Sequence, residues 1–150
     1  MDDSLISRLL SDTSPCLLCV CEDSRCLREA AEDLALHTSW PILDVGMRLS
    51  GVLLGVPPAQ RTAKAREALG DLIRLYSTGP VICNGIDLLF LPELALDPLA
   101  LFLEASRHTR LVVLWPGRFK EKDLSYAVSD HKHYRHWEMK NLPVYPLERR

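Results

Sequence analysis

No apolar run in this 150-residue chain reaches the roughly 18 to 20 residues that a membrane span requires. Its opening, MDDSLISRLL, carries acids where a secretory leader carries bases, so a cytoplasmic location is expected. Neither sign of charge is in excess. Eighteen Lys and Arg stand against twenty Asp and Glu, and the net charge of −2 provides no global field for nucleic acid or an anionic membrane. An even cysteine framework is also missing: Cys16, Cys19, Cys21, Cys26 and Cys83 make five, which argues against disulfides in a cytosolic protein. Cys16-x-x-Cys19 has no second pair at zinc spacing. Within a run reading CLLCVC, alternation sends Cys16 to one face and Cys19 and Cys21 to the other. The cysteines therefore read as small core hydrophobes.

What remains is an ordinary folded composition, 47% hydrophobic and 25% charged, and residues 1–150 fit one domain. The stretch Val81 to Gly117 organises it. Val81-Ile82-Cys83 stops at Asn84-Gly85, an apolar segment and a helix follow, and Leu111 to Trp115 closes on Pro116-Gly117. Two apolar runs flanking a helix predict a βαβ unit buried on both faces. Upstream, the pattern predicts a short helix over 3–11, a strand over Leu17 to Cys21 and a helix from Arg25 to about His37. A strand over 42–45, a short helix after Gly46 and a long helix from Pro57-Pro58 to Tyr76 come next. Asp97-Pro98 caps a helix over 99–106. Arg118 to Asp123 reads as a charged turn. The region 124–147 holds weaker strands, an edge strand at 124–126 and a last strand within 134–145. The order implies a three-layer α/β fold with a mostly parallel sheet of about five strands.

In such sheets chemistry gathers where strands end. A phosphate loop there needs G-x-x-x-x-G-K-S/T, in which glycines wrap backbone N–H groups around phosphate, lysine supplies charge and the hydroxyl holds Mg²⁺. The first strand instead runs through Glu22, Asp23, Ser24 and Arg25, with neither glycine nor lysine. Two carboxylates at a helix N-terminus satisfy its dipole and repel a triphosphate. The third strand ends in the neutral Asn84 where a metal-holding acid would stand, with Asp87 three residues on. The topology suits a nucleotide and the chemistry does not.

Several segments carry a family resemblance. ILDVGMRLS (42–50), Val81 through Asp97-Pro98-Leu99 with its IDLLFLPELALDPL, Val112 through Trp115-Pro116-Gly117, and Leu124-Ser125-Tyr126-Ala127 keep their order across most of the chain. In these the sequence resembles the small P-loop-containing protein of type III BREX phage-defence systems of bacteria. The resemblance implies a P-loop-NTPase-like domain of the ASCE type and a place in an anti-phage complex. The partners it implies are other BREX components: a large ATPase, an alkaline-phosphatase-like protein and a DNA methyltransferase. Family members carry a glycine-rich loop with Lys-Thr and an acid where this chain has Asn84. This chain departs at both places, so ATP binding does not carry over.

The leading expectation is therefore a catalytically silent, NTPase-like subunit with no cofactor. Trp115, Gly117 and Arg118 are offered either as a contact surface or as a packed corner. The alternative is an ATP- and Mg²⁺-binding switch or ATPase, with Arg25 or Arg28 replacing the lysine and Asp44 or Asp87 the acid. A third reading, a metal-dependent nuclease, rests on Asp130, His131, His133 and His136, though their spacing matches no structural zinc pattern. Weak DNA contact would use the basic residues of the C-terminal portion. These are Arg107, His108, Arg110, Arg118, Lys120, Lys122, Lys132, Arg135, Lys140, Arg149 and Arg150, with acids interspersed.

Overall fold

All six residues of Cys16–Cys21, strand β1, are buried, as an apolar run must be when helices cover both faces of its sheet. The computed structural model describes residues 1–126, 135–139 and 143–147. Six more strands follow: β2 (Ile42–Asp44), β3 (Val81–Asn84), β4 (Leu111–Lys120), β5 (Asp123–Tyr126), β6 (Arg135–Glu138) and β7 (Val144–Pro146). The main sheet has the order β2-β3-β4-β1-β7, and each neighbouring pair is parallel. The helices are α1 (Asp3–Ser11), α2 (Ser24–Thr38), α3 (Val45–Leu53), α4 (Pro58–Arg74) and α5 (Pro98–Ala105).

Alternation along the strands divides the core. Leu17, Cys19 and Cys21 join Ile82, Val112 and Leu114 beneath α1 and α2. Cys16, Leu18 and Val20 join Val81, Val113 and Trp115 on the face covered by α3, α4 and α5. The expected α/β architecture is thus present, with a mostly parallel sheet between helices. Cys16 lies on the face opposite Cys19 and Cys21, and all five thiols are free. Helix α2 buries Leu27, Ala30, Ala31 and Leu34, and its two leucines each contribute about 2 kcal/mol of burial. Among the described residues no helix is long and apolar enough to cross a membrane.

The carboxyl-terminal third departs from expectation. Arg118 to Asp123 is not a turn: β4 continues through Pro116 and Gly117 to Lys120, and only Glu121 and Lys122 turn. Both have positive φ, 51° and 66°, the backbone of a tight two-residue hairpin. The β1–β4 ladder ends at Cys21↔Pro116. Past that point β4 finds a new partner in β5, antiparallel, from Gly117↔Tyr126 to Lys120↔Asp123. Strand β6 then pairs with β5, so 124–126 is not an edge. The single last strand expected within 134–145 is two strands, and only β7 returns to the parallel sheet beside β1. Two 3₁₀ turns, Ile86–Phe90 and Pro92–Leu94, precede α5.

Aromatic packing holds the hairpin down. Phe90 stacks on Tyr126 at 3.9 Å between ring centres. Trp115 meets Phe90 at 5.0 Å and Trp137 at 5.2 Å, both edge to face. Such pairs contribute about 0.5–1.5 kcal/mol each beyond their buried area. The Trp115 Nε1–H donates to the Ser125 carbonyl at 3.0 Å, and Trp137 Nε1–H donates to Asp97 at 3.1 Å.

Candidate functional site

After β1 the chain turns to α2 on one face. After β3 it turns to α5 on the other, with β4 between them. The crevice at the carboxyl ends of β1 and β4 is therefore the topological switch point, where open α/β sheets take ligands. Here it is a groove of about 440 Å³ lined by Val20, Cys21, Glu22, Gly117, Arg118, Phe119, Lys120, Pro146 and Leu147.

One ion pair spans it. Both guanidinium positions of Arg118 address the Glu22 carboxylate: Nε donates to Oε1, and Nη2 to Oε2 at 3.2 Å. The arrangement is the two-toothed fork by which arginine grips carboxylate or phosphate. Glu22 is half-buried and Arg118 exposed, so the pair is only modestly stabilising. Its importance is positional, because it ties the end of β1 to the extension of β4.

The other residues singled out in the sequence divide between structural duties. Asp23 is the α2 cap, accepting the Arg25 N–H at 2.9 Å. Ser24 opens the helix and is exposed. Arg25 points along the helix surface to Glu29, 3.1 Å away. Of the two acids expected at this helix end, one caps it and the other turns across the groove.

Asn84 ends β3 opposite Asp44, separated from β1 by the whole of β4. Asp44 caps α3 through the Met47 N–H at 3.1 Å. It also abuts Gly85, whose φ of +64° suits glycine and where an added Cβ would stand 2.7 Å from the Asp44 carboxylate. Gly46 N–H donates to the Gly85 carbonyl at 2.9 Å. These residues lock two strand ends together. Asp87 accepts the Tyr126 hydroxyl at 3.3 Å. Burial first, and then this carboxylate, push the phenol up to about 12.

Trp115 is fully buried and Gly117 is buried with it, so for these two the packed corner replaces the contact surface. A Cβ on Gly117 would run into the Ser125 carbonyl and stand 3.2 Å from Tyr126 Cα. Arg118 alone of the three reaches solvent.

The remaining chemistry is sparse. Burial pushes the Cys16 and Cys19 thiols up to about 12, and thiols so placed are not thiolates at neutral pH. Among the described residues no three His, Cys, Asp or Glu side chains are grouped to hold a metal ion. His136 lies 3.3 Å from Asp123, whereas Asp130, His131 and His133 fall outside the described residues.

The basic set is dispersed. Arg110 is consumed by the carbonyls of Asp12 and Ser14. Arg135 bonds the Leu96 carbonyl at 2.7 Å and lies over Trp137. Arg107 and His108 line a separate groove between α4 and α5. Lys132, Lys140, Arg149 and Arg150 lie outside the described residues. What the sequence missed is the hairpin that carries Arg118 and Lys120 past the end of β1. Its available signal was the alternation of Leu124 and Tyr126. No protein-family model, curated protein or solved structure matches this chain.

Proposed function

We propose that this protein is a non-catalytic, P-loop-NTPase-like subunit, a pseudo-ATPase, of a BREX-type bacterial anti-phage defence complex. It is a cytoplasmic protein that works through contact with other defence components, with weak DNA contact from its hairpin lysines as a lesser element. Two lines support the reading. The resemblance supplies the family and its context. The strand order is compatible with it: five parallel strands with β4 inserted between β1 and β3 suit an ASCE-type domain.

The Glu22–Arg118 pair is the observation that carries the silence. Where a phosphate loop would wrap its ligand, the chain supplies a carboxylate of its own, and a nearby arginine is already occupied by it. Three of the four substitutes named for an active enzyme have other partners. Arg25 is paired with Glu29, Asp44 caps a helix and Asp87 holds Tyr126.

Co-expression of the tagged chain with the components of a type III BREX system tests the assignment. A stable complex with one of those components, unchanged by ATP, is expected. Recovery of the chain alone from every such co-expression would contradict it.

A further inference from the structure

Strand β4 outruns β1. Their ladder closes at Cys21↔Pro116, yet β4 continues four residues further, Gly117 to Lys120. On one side this extension is paired with β5. That side is the β3 side, because Tyr126 of β5 stacks on Phe90 and bonds Asp87, both just beyond β3. On the β1 side, among the described residues, no strand pairs with the extension.

Backbone alternation identifies which groups face the gap. Leu111 N–H donates to the Pro15 carbonyl at 2.8 Å, toward β1. Arg110, one residue earlier, gives its carbonyl to Val81 N–H on the β3 side at 3.0 Å. With a period of two, the odd residues of β4 address β1 and the even ones address β3 and then β5. Phe119 therefore turns its N–H and C=O into the groove at a level where β1 has ended. An unpaired strand edge of this kind is a template for another strand.

The side chains define what that strand should carry. Arg118 and Lys120 are two residues apart, so they share one face of β4, and both are exposed. Phe119 points to the other face and is half-buried. Pro146 and Leu147 form an apolar wall of the same groove. A segment laid along this edge meets two cations at alternate positions on one face, Lys120 with Asp123 across the hairpin from it, and the half-buried Phe119 side chain on the other. Glu22 already models the ionic half of this contact in the Arg118 fork.

We infer that the open edge of the β4 extension is the partner-docking surface, and that it takes an extended acidic segment of another protein by strand addition. The segment carries carboxylates at alternate positions, Asp/Glu-x-Asp/Glu, facing Arg118 and Lys120, and Glu22 is the internal carboxylate it displaces. Main-chain hydrogen bonds to Phe119 give affinity and the alternating charges give register. This inference rests on the protein-contact reading proposed above.

Fluorescence anisotropy with the labelled peptide Val-Glu-Val-Glu-Val-Glu-Val and the full chain tests it. The expected result is saturable binding, lost when the same residues are rearranged into one glutamate block and one valine block. It is lost too when glutamate is replaced by lysine, or when alternate peptide nitrogens on the edge facing β4 are methylated. Glu22→Ala should tighten binding roughly threefold by freeing Arg118. Arg118→Glu should weaken it at least about tenfold. Lys120→Glu, outside the ion pair, provides a second charge reversal with the same expected direction should Arg118→Glu not fold.

Equal binding of the alternating and block peptides would reduce the contact to diffuse electrostatics and overturn the inference, as would absence of binding. Titrating Mg²⁺-ATP into the same preparation separates the two levels. Nucleotide binding would remove the pseudo-ATPase reading whatever the peptide does. Nucleotide silence with no peptide binding would remove only this docking surface.

Discussion

Gly117→Ala probes the joint on which the site is built. A methyl group at 117 would collide with the Ser125 carbonyl oxygen and stand 2.8 Å from its carbonyl carbon and 3.2 Å from Tyr126 Cα. All three are backbone atoms of β5, so no side chain can rotate aside. Strand β5 must then withdraw from β4 at the pairs Gly117↔Tyr126 and Arg118↔Ser125. The Trp115 Nε1 bond to the Ser125 carbonyl and the Phe90–Tyr126 stack depend on the same two residues.

Losing one or two hydrogen bonds at about 1 kcal/mol each and one aromatic pair at about 1 kcal/mol gives a destabilisation of about 2–3 kcal/mol. For a chain of this length that lowers Tm by roughly 4–12 °C. Urea unfolding followed by tryptophan fluorescence and by far-UV circular dichroism measures it. Near-UV dichroism should also lose intensity as Trp115 and Trp137 separate. Gly51→Ala is the control: it lies in α3 with nothing within 4 Å of the added carbon, so it should raise stability by about 0.5–1 kcal/mol. Equal stability of Gly117→Ala and the parent would refute the packing of the hairpin against β4.

Three further outcomes follow. Lys122→Gly should stabilise the hairpin by up to about 1 kcal/mol in urea unfolding, because residue 122 is held at φ 66°, where glycine escapes the Cβ penalty. Tyr145→Phe removes the 2.5 Å hydrogen bond to Asp12 and should cost about 1 kcal/mol near pH 7. That hydroxyl is the largest cause holding the Asp12 carboxyl below its usual 3.8. The Asp12 contribution is complete above that pH and is lost as pH falls through the lowered value, so parent and variant should converge in acid. Tyr145 is itself pushed up to about 12 by burial and then Asp12. They should therefore converge again between pH 10 and 12, measured as stability against pH. Finally, an aromatic disulfide reagent at pH 8 should leave Cys16, Cys19 and Cys83 unmodified in the native protein and titrate all five thiols in denaturant. Burial both shields these three and raises their pKa; rapid native modification of all five would contradict the buried strands.

The parallel core was legible because its signals are local. Apolar runs mark β1, β3 and the first half of β4, while Asp23, Asp44 and Asp97 stand where helix caps belong. The hairpin was not legible for an equally physical reason. Pro116-Gly117 looks like a stop, and Glu121-Lys122 lacks the Asn-Gly type of signal that marks a tight hairpin turn. Only the loss of β1 as a partner and the fit of Tyr126 on Phe90 make the strand continue, and both are long-range.

The site follows the same division. That Glu22 and Asp23 disfavour a triphosphate can be read from their position. That Glu22 finds Arg118, 96 residues away, depends on the hairpin.

In the proposed reading the strand-end crevice takes no nucleotide, because it lacks the glycine loop and lysine a triphosphate needs and presents the Glu22 carboxylate in their place. Calorimetric titration of the full chain with ATP and Mg²⁺ tests this most directly. No heat of binding up to millimolar nucleotide is the predicted result, and stoichiometric micromolar binding that weakens with the Arg118→Glu charge reversal would contradict it.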